Sequence, residues 1–98
     1  MQYLVLAYDA KDPDALKRRM EAREGHLACI ARHKALGHMH IGAALLDDAG
    51  TMIGSSIIAE FDTRAGLDAW LAEDPYVTHK VWGDITITPC KIAPSFTK

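Results

Sequence analysis

The chain opens on Gln2 to Tyr8, a segment apolar at odd and even positions alike, which predicts a strand buried on both faces. Asp9 to Asp14 then carries turn chemistry, with Asp12 as the N-cap of a helix and Pro13 in its first turn. From there to Leu36 the apolar positions recur at helical spacing. Leu16, Met20, Leu27 and Ile30 form one stripe, and Gly37 is the stop. Met39 to Leu46 reads as a second strand and Met52 to Phe61 as a third, joined through Asp47-Asp48-Ala49-Gly50 into a β-hairpin. Asp62 or Thr63 caps a second helix carrying Leu67, Trp70 and Leu71. That helix ends before Asp74-Pro75, because the residue preceding a proline is pushed out of the helical region. After Tyr76 to Lys80, a last strand runs from about Trp82 to Ile92, with Ile85 and Ile87 alternating against Thr86 and Thr88.

The order β-α-β-β-α-β predicts an α+β, ferredoxin-like fold: an antiparallel four-stranded sheet with two helices on one face, in a single domain over residues 1–98. Two helices cover one face of four strands. Yet the first three strands carry apolar residues on both faces, so the bare face needs a cover. A second copy of the same sheet is the simplest one, which predicts a homodimer packed sheet to sheet, open to higher assembly.

Hydrophobic residues at 49% and charged residues at 24% are globular proportions and exclude a disordered chain. Eleven Lys+Arg against thirteen Asp+Glu leave a net charge of −2, without the basic excess that phosphate-backbone binding requires, so no nucleic-acid partner is expected. No apolar run approaches a membrane span, and the N-terminus lacks the basic start and apolar core of a signal peptide. A cytoplasmic protein without a membrane partner is therefore expected. Cys29 and Cys90 are too few for a disulfide scaffold and form no CxxC pair, which leaves them as plain thiols. No glycine-rich phosphate loop is present, so no nucleotide cofactor is expected.

Polar residues break the helical pattern in one place. At about 100° per residue, Arg23 falls inside the apolar stripe, with Arg19 and His26 on its edge. A charge on a core-facing stripe is costly unless it is paired or lines a cavity. Two arginines and a histidine in adjacent turns suit an anion-binding wall; the competing reading pairs the arginines with local acids such as Glu21 or Asp9. His26 is a core histidine or a general acid–base, and Asp74 is the carboxylate placed to orient it. Gly54-Ser55-Ser56 interrupts the third strand, where glycine marks close approach by a backbone or ligand. Ser55 and Ser56 point to opposite faces, so one of the two serves a given pocket. His38 and His40 share a side if the second strand has already begun, which suits a metal pair, but neither they nor His33 find a third ligand at a recognisable spacing, so no metal is expected. Phe61, Trp70 and Trp82 read as core or dimer packing.

Arg19-Met20, Arg23 and His26-Leu27 on the first helix, Gly54 to Phe61 on the third strand, and Ala72-Glu73-Asp74-Pro75-Tyr76-Val77 after the second helix resemble the YciI-like (YCII-related) family. The likeness runs from the first strand to about Ile92. It implies the fold of the dimeric α+β barrels, which include muconolactone isomerase and small heme-free monooxygenases, with a pocket between helices and sheet. It also implies His26 and Asp74 as a catalytic pair, with Arg19, Arg23, Tyr76 and either Ser55 or Ser56 lining the same pocket. Some relatives eliminate chloride from, or rearrange, products of aromatic rings. Two departures stand out: Pro89-Cys90 where relatives commonly have Pro-Phe, and Glu24-Gly25 where some carry a proline.

Together these features point to a small cofactor-independent enzyme of the lyase, isomerase or dehydrochlorinase type. Its substrate would be a small organic anion such as a ring-derived acid, a lactone or a hydroxyquinone. In that reading His26 moves a proton, Asp74 orients it, and Arg19 and Arg23 hold the anion. The alternative is a non-catalytic dimeric module that binds a small molecule or a partner protein, since ferredoxin-like folds host many functions.

Overall fold

The apolar alternation of the first segment builds the centre of the sheet. Strand β1 (Gln2–Asp9) pairs antiparallel with β3 (Met52–Glu60) on one side and with β4 (Trp82–Cys90) on the other. Strand β2 (Met39–Leu46) pairs with β3 at the edge, giving the order β2-β3-β1-β4. These elements belong to a computed structural model that describes residues 1–96. Helices α1 (Ala15–Ala35) and α2 (Arg64–Glu73) pack on one face of the sheet, as the ferredoxin-like order requires.

Tyr3, Val5 and Ala7 on β1 and Ile57 and Ala59 on β3 face the helices and are buried against Leu67, Trp70, Tyr76 and Val81. The opposite face is open. Leu4 and Leu6 are half-buried and Tyr8 is 45% exposed, so within one chain β1 is buried on one face only, not on both. The reason is geometric, since no element among the described residues crosses behind the sheet.

Helix α1 departs most from its pattern. Its buried residues are Ala15, Arg19, Ala22, His26, Cys29 and His33, spaced 4-3-4-3-4 along one face. The expected core stripe lies beside that face: Leu16, Met20 and Leu27 are about half exposed and Ile30 is half-buried. The start of α1 differs too. Asp14 occupies the cap position without a side-chain hydrogen bond. Asp12, read as the cap, instead accepts the Asp14 backbone N–H at 3.2 Å and pairs with Arg18 at 2.7 Å. Bonding to the Arg18 guanidinium lowers its carboxyl to about 2.

Gly37, at φ 82°, ends α1 in the left-handed region. Asp47 Oδ1 accepts the N–H groups of Ala49 and Thr51 to close the β2–β3 turn. Thr63 caps α2 by accepting the Gly66 N–H at 3.2 Å. The chain then makes a separate single turn, α3 (Pro75–Thr78), which the hydrophobic pattern did not signal. Asp74 is its N-cap, accepting the Tyr76 N–H at 2.9 Å, with Pro75 in the first turn. β3 and β4 end slightly sooner than expected, at Glu60 and Cys90. Among the described residues, no helix is long and apolar enough to cross a membrane.

Two glycines set distances that matter for the site. A Cβ at Gly54 would stand 2.5 Å from the Ala7 carbonyl, so the close approach marked by that glycine is by the β1 backbone. A Cβ at Gly25 would stand 3.2 Å from Cγ of Pro75, so Gly25 lets α1 lie against α3.

Candidate active site

Contact between α1 and α3 brings together two groups far apart in sequence. His26 projects from the buried face of α1 one residue after Gly25, and Asp74 precedes Pro75. His26 Nδ1 lies 2.8 Å from Asp74 Oδ1. The histidine is 7% exposed and the aspartate is wholly buried. The Asp74 carboxylate thus accepts both the imidazole N–H and the Tyr76 backbone N–H. Its acceptor role places the neutral imidazole proton on Nδ1 and leaves the Nε2 lone pair free. Among the described residues, Nε2 has no hydrogen-bond partner. The Tyr76 ring stacks on the imidazole at 3.8 Å and 7°, and the Trp82 edge meets it at 5.8 Å. These two rings fix its plane. Burial pushes the Tyr76 hydroxyl above its ordinary range, with Arg19 and then Arg23 opposing.

Arg19 is 1% exposed and held on three sides. Its Nη2 donates to Ser55 Oγ at 2.8 Å and to the Gly54 carbonyl, and its Nε lies 3.3 Å from Asp9 Oδ2. The guanidinium also sits 4.7 Å from the Tyr76 ring centroid. Pairing with Asp9 was the alternative reading of the arginines, and it describes Arg19 well. The Asp9 carboxylate is buried with neither oxygen in an aligned hydrogen bond among the described residues, and burial raises its pKa, with Arg19 opposing. Ser55 Oγ accepts a second bond, from Trp82 Nε1 at 3.1 Å. With both lone pairs engaged, the Ser55 O–H remains available to donate.

Arg19, Arg23, His26, Ser55 and Tyr76 line one cavity of about 350 Å³ between α1 and the β2–β3 side of the sheet. Asp74 stands behind His26, outside the lining. Leu27, Ile30, Met39, Met52 and Ile57 supply apolar walls, and Lys34 and His40 add basic groups. Arg23 is exposed and has no ion-pair partner among the described residues, so its charge is free in the cavity wall. Ser55 and Ser56 separate as the strand alternation demands. Ser55 is 5% exposed on the helix side, while Ser56 lies on the open face with Leu6 and Ala43 as its cross-strand neighbours.

Sequence reasoning missed the polar role of Trp82: the tryptophan, read as packing, also donates to Ser55. His38 and His40 do not pair. His38 Nδ1 meets His33 Nδ1 at 3.0 Å, whereas His40 Nε2 meets Glu60 Oε1 at 2.5 Å, because β2 begins only at Met39. Cys29, read only as a plain thiol, falls on the buried face, 4% exposed.

Comparison with known proteins bears on this arrangement. The YCII-related domain matches residues 1–91. An uncharacterized protein of Haemophilus influenzae is 31% identical over 97 residues, covering 93% of this chain and 97% of the relative. Protein YciI of Escherichia coli O6:H1 is similar to the same extent, 31% over 97 residues with the same coverage. Among solved structures, 5-chloro-2-hydroxyhydroquinone dehydrochlorinase of Burkholderia phenoliruptrix, in complex with 2,5-dihydroxybenzoquinone, superposes with a TM-score of 0.82. It is 22% identical and the match covers 97% of this chain and 98% of that one, a likeness of fold.

Proposed function

The chain belongs to the YCII-related family, and from that premise we propose that it is a small cofactor-independent enzyme of the lyase or isomerase type. Its substrate is a small organic anion: a ring-derived acid, a lactone or a hydroxyquinone. The observation that carries this reading is the 2.8 Å contact between His26 Nδ1 and the buried Asp74 carboxylate, with Nε2 unpartnered on a residue that lines the cavity. The dehydrochlorinase that shares the fold acts on a chlorinated hydroxyhydroquinone, which supports the same substrate class here.

In this mechanism Nε2 removes a proton from a carbon next to a carbonyl. The imidazolium that forms is stabilised by Asp74. Electrons from the broken bond pass to the carbonyl oxygen, which meets the Ser55 hydroxyl and the charge of Arg23. Collapse of that enolate returns the proton at another carbon in an isomerisation, or expels a leaving group such as chloride in an elimination. Arg19 acts from behind: it fixes Ser55 and Tyr76 and keeps the local potential positive. We also place the enzyme in the cytoplasm, a reading supported by its two free cysteines, and read it as a homodimer joined through the open face of the sheet.

The test is a screen of chlorinated hydroxyquinones, hydroxyquinones and lactones against the parent and His26→Gln. The expected result is turnover of one compound class, lowered about 10²–10⁴-fold by the substitution while binding persists. Binding without turnover in the parent would instead identify a ligand-binding module.

A further inference from the structure

A second cluster of reactive side chains lies one turn further along the buried face of α1. Cys29 and His33 are four residues apart on that face, and Glu73, the last residue of α2, reaches across to both. Glu73 Oε1 lies 2.6 Å from His33 Nε2 and 3.8 Å from Cys29 Sγ. One donor atom from each of the three residues falls within 4.8 Å of the other two. We infer that Cys29, His33 and Glu73 form a binding site for a borderline-soft divalent cation of the Zn²⁺ class, outside the proton-transfer chemistry proposed above.

Thiolate, imidazole and carboxylate together are the donor set of such ions, and three protein ligands leave a fourth position open. Several features of the surroundings agree. The other ring nitrogen of His33 is held at 3.0 Å by His38 Nδ1, an outer partner that aims Nε2 at the cluster. Arg32 bonds Glu73 through Oε1 at 2.6 Å, and Oε2 has no partner among the described residues. A second cavity of about 370 Å³, bordered by His33, Glu73 and Trp70, adjoins the cluster and gives an entry path. Trp70 borders the same cavity, and its buried indole N–H has no hydrogen-bond partner among the described residues. Without a cation, burial and then the charge of Asp74 push the Cys29 thiol up to about 11, with Arg32 opposing and Glu73 adding to the rise. A divalent ion reverses that balance, displacing the thiol proton as it binds.

The test uses the full chain, freed of metal by chelation and titrated with Co²⁺ as the spectroscopic probe and then with Zn²⁺. The expected result is one ion per chain, a thiolate-to-cobalt band in the near ultraviolet that Zn²⁺ displaces, and proton release on binding. Cys29→Ser abolishes the band. Glu73→Gln, altering a half-exposed side chain that the core does not need, weakens binding about tenfold or more. His40→Ala, away from the cluster, changes nothing. Absence of the band in the parent, or binding equally strong in Cys29→Ser and Glu73→Gln, overturns the assignment. His26 and Asp74 take no part in the readout, so it is independent of the enzyme reading.

Discussion

Nδ1 of His26 and Oδ1 of Asp74 stand 2.8 Å apart although 48 residues separate them in the chain. Neither residue reaches the other by local structure. Gly25 sets the approach of α1 to Pro75, and Pro75 begins the turn that Asp74 caps. One carboxylate oxygen thereby caps α3 and accepts from the imidazole. Asp74→Asn keeps a capping oxygen but loses the charge that fixes the tautomer. We expect long-range ¹H–¹⁵N spectra to find the neutral His26 proton on Nδ1 in the parent and redistributed toward Nε2 in Asp74→Asn, with turnover on any substrate found falling by about 10²–10⁴-fold. An Nε2-protonated imidazole in the parent would remove the free lone pair from the cavity and with it the proposed base.

Ser55 joins α1 to the sheet by accepting from both Arg19 and Trp82. Ser55→Ala leaves those buried donors short of a partner, at a cost of about 1–3 kcal/mol. Ser56→Ala, one residue away on the open face, should stay within about 0.5 kcal/mol. Urea unfolding of the two variants measures the difference. Equal effects would mean that the Ser55 hydroxyl is not a structural node.

The contrast between these serines shows what the sequence could and could not reveal. Strand alternation required that Ser55 and Ser56 part company, but choosing between them needed the register that sets Ala7 opposite Ser55. The β-α-β-β-α-β order was legible because strand period, turn residues and the Pro75 stop agreed. Helix α1 misled for a physical reason. Hydrophobicity marked Leu16, Met20 and Leu27, whereas the face against the sheet carries Arg19, His26, Cys29 and His33. Those polar groups are tolerated inside because Asp9, Ser55, Asp74 and Glu73 arrive from other elements to meet them. A pattern confined to one helix cannot show partners supplied from elsewhere. The 4-3-4-3-4 spacing from Ala15 to His33 was visible, but its polar members read as an edge.

Cys29 should be unreactive in the native chain for two reasons, its burial and a thiol pushed up to about 11. At pH 8 about one such thiol in a thousand is ionised, and the thiolate is the nucleophile. With no metal present, titration with a disulfide reagent should find at most one reactive thiol per native chain and two in urea. Because the pKa is raised, the native alkylation rate of Cys29 should climb about tenfold per pH unit up to about 11. Rapid labelling of Cys29 at neutral pH would contradict both its burial and its electrostatic setting.

Ile58 stands at the middle of the open face, registered against Leu4 on β1 and Ile41 on β2. Ile41 is 65% exposed, and Leu4, Leu6 and Ile58 are half-buried, which leaves a contiguous apolar surface with no cover from the described residues. Soluble monomers rarely leave such a face bare, and a two-fold partner offers a matching one. The proposed dimer therefore places Ile58 near its axis. Sedimentation equilibrium should give a mass near twice 10.8 kDa for the parent and near 10.8 kDa for Ile58→Asp. Burying an unpaired carboxylate in that interface outweighs the remaining apolar contacts. Leu16→Glu alters an apolar residue on α1 that is 43% exposed, and should leave the dimer intact. If Leu16→Glu dissociates the protein while Ile58→Asp does not, the interface lies on the helical side, where it would also border the His26 cavity.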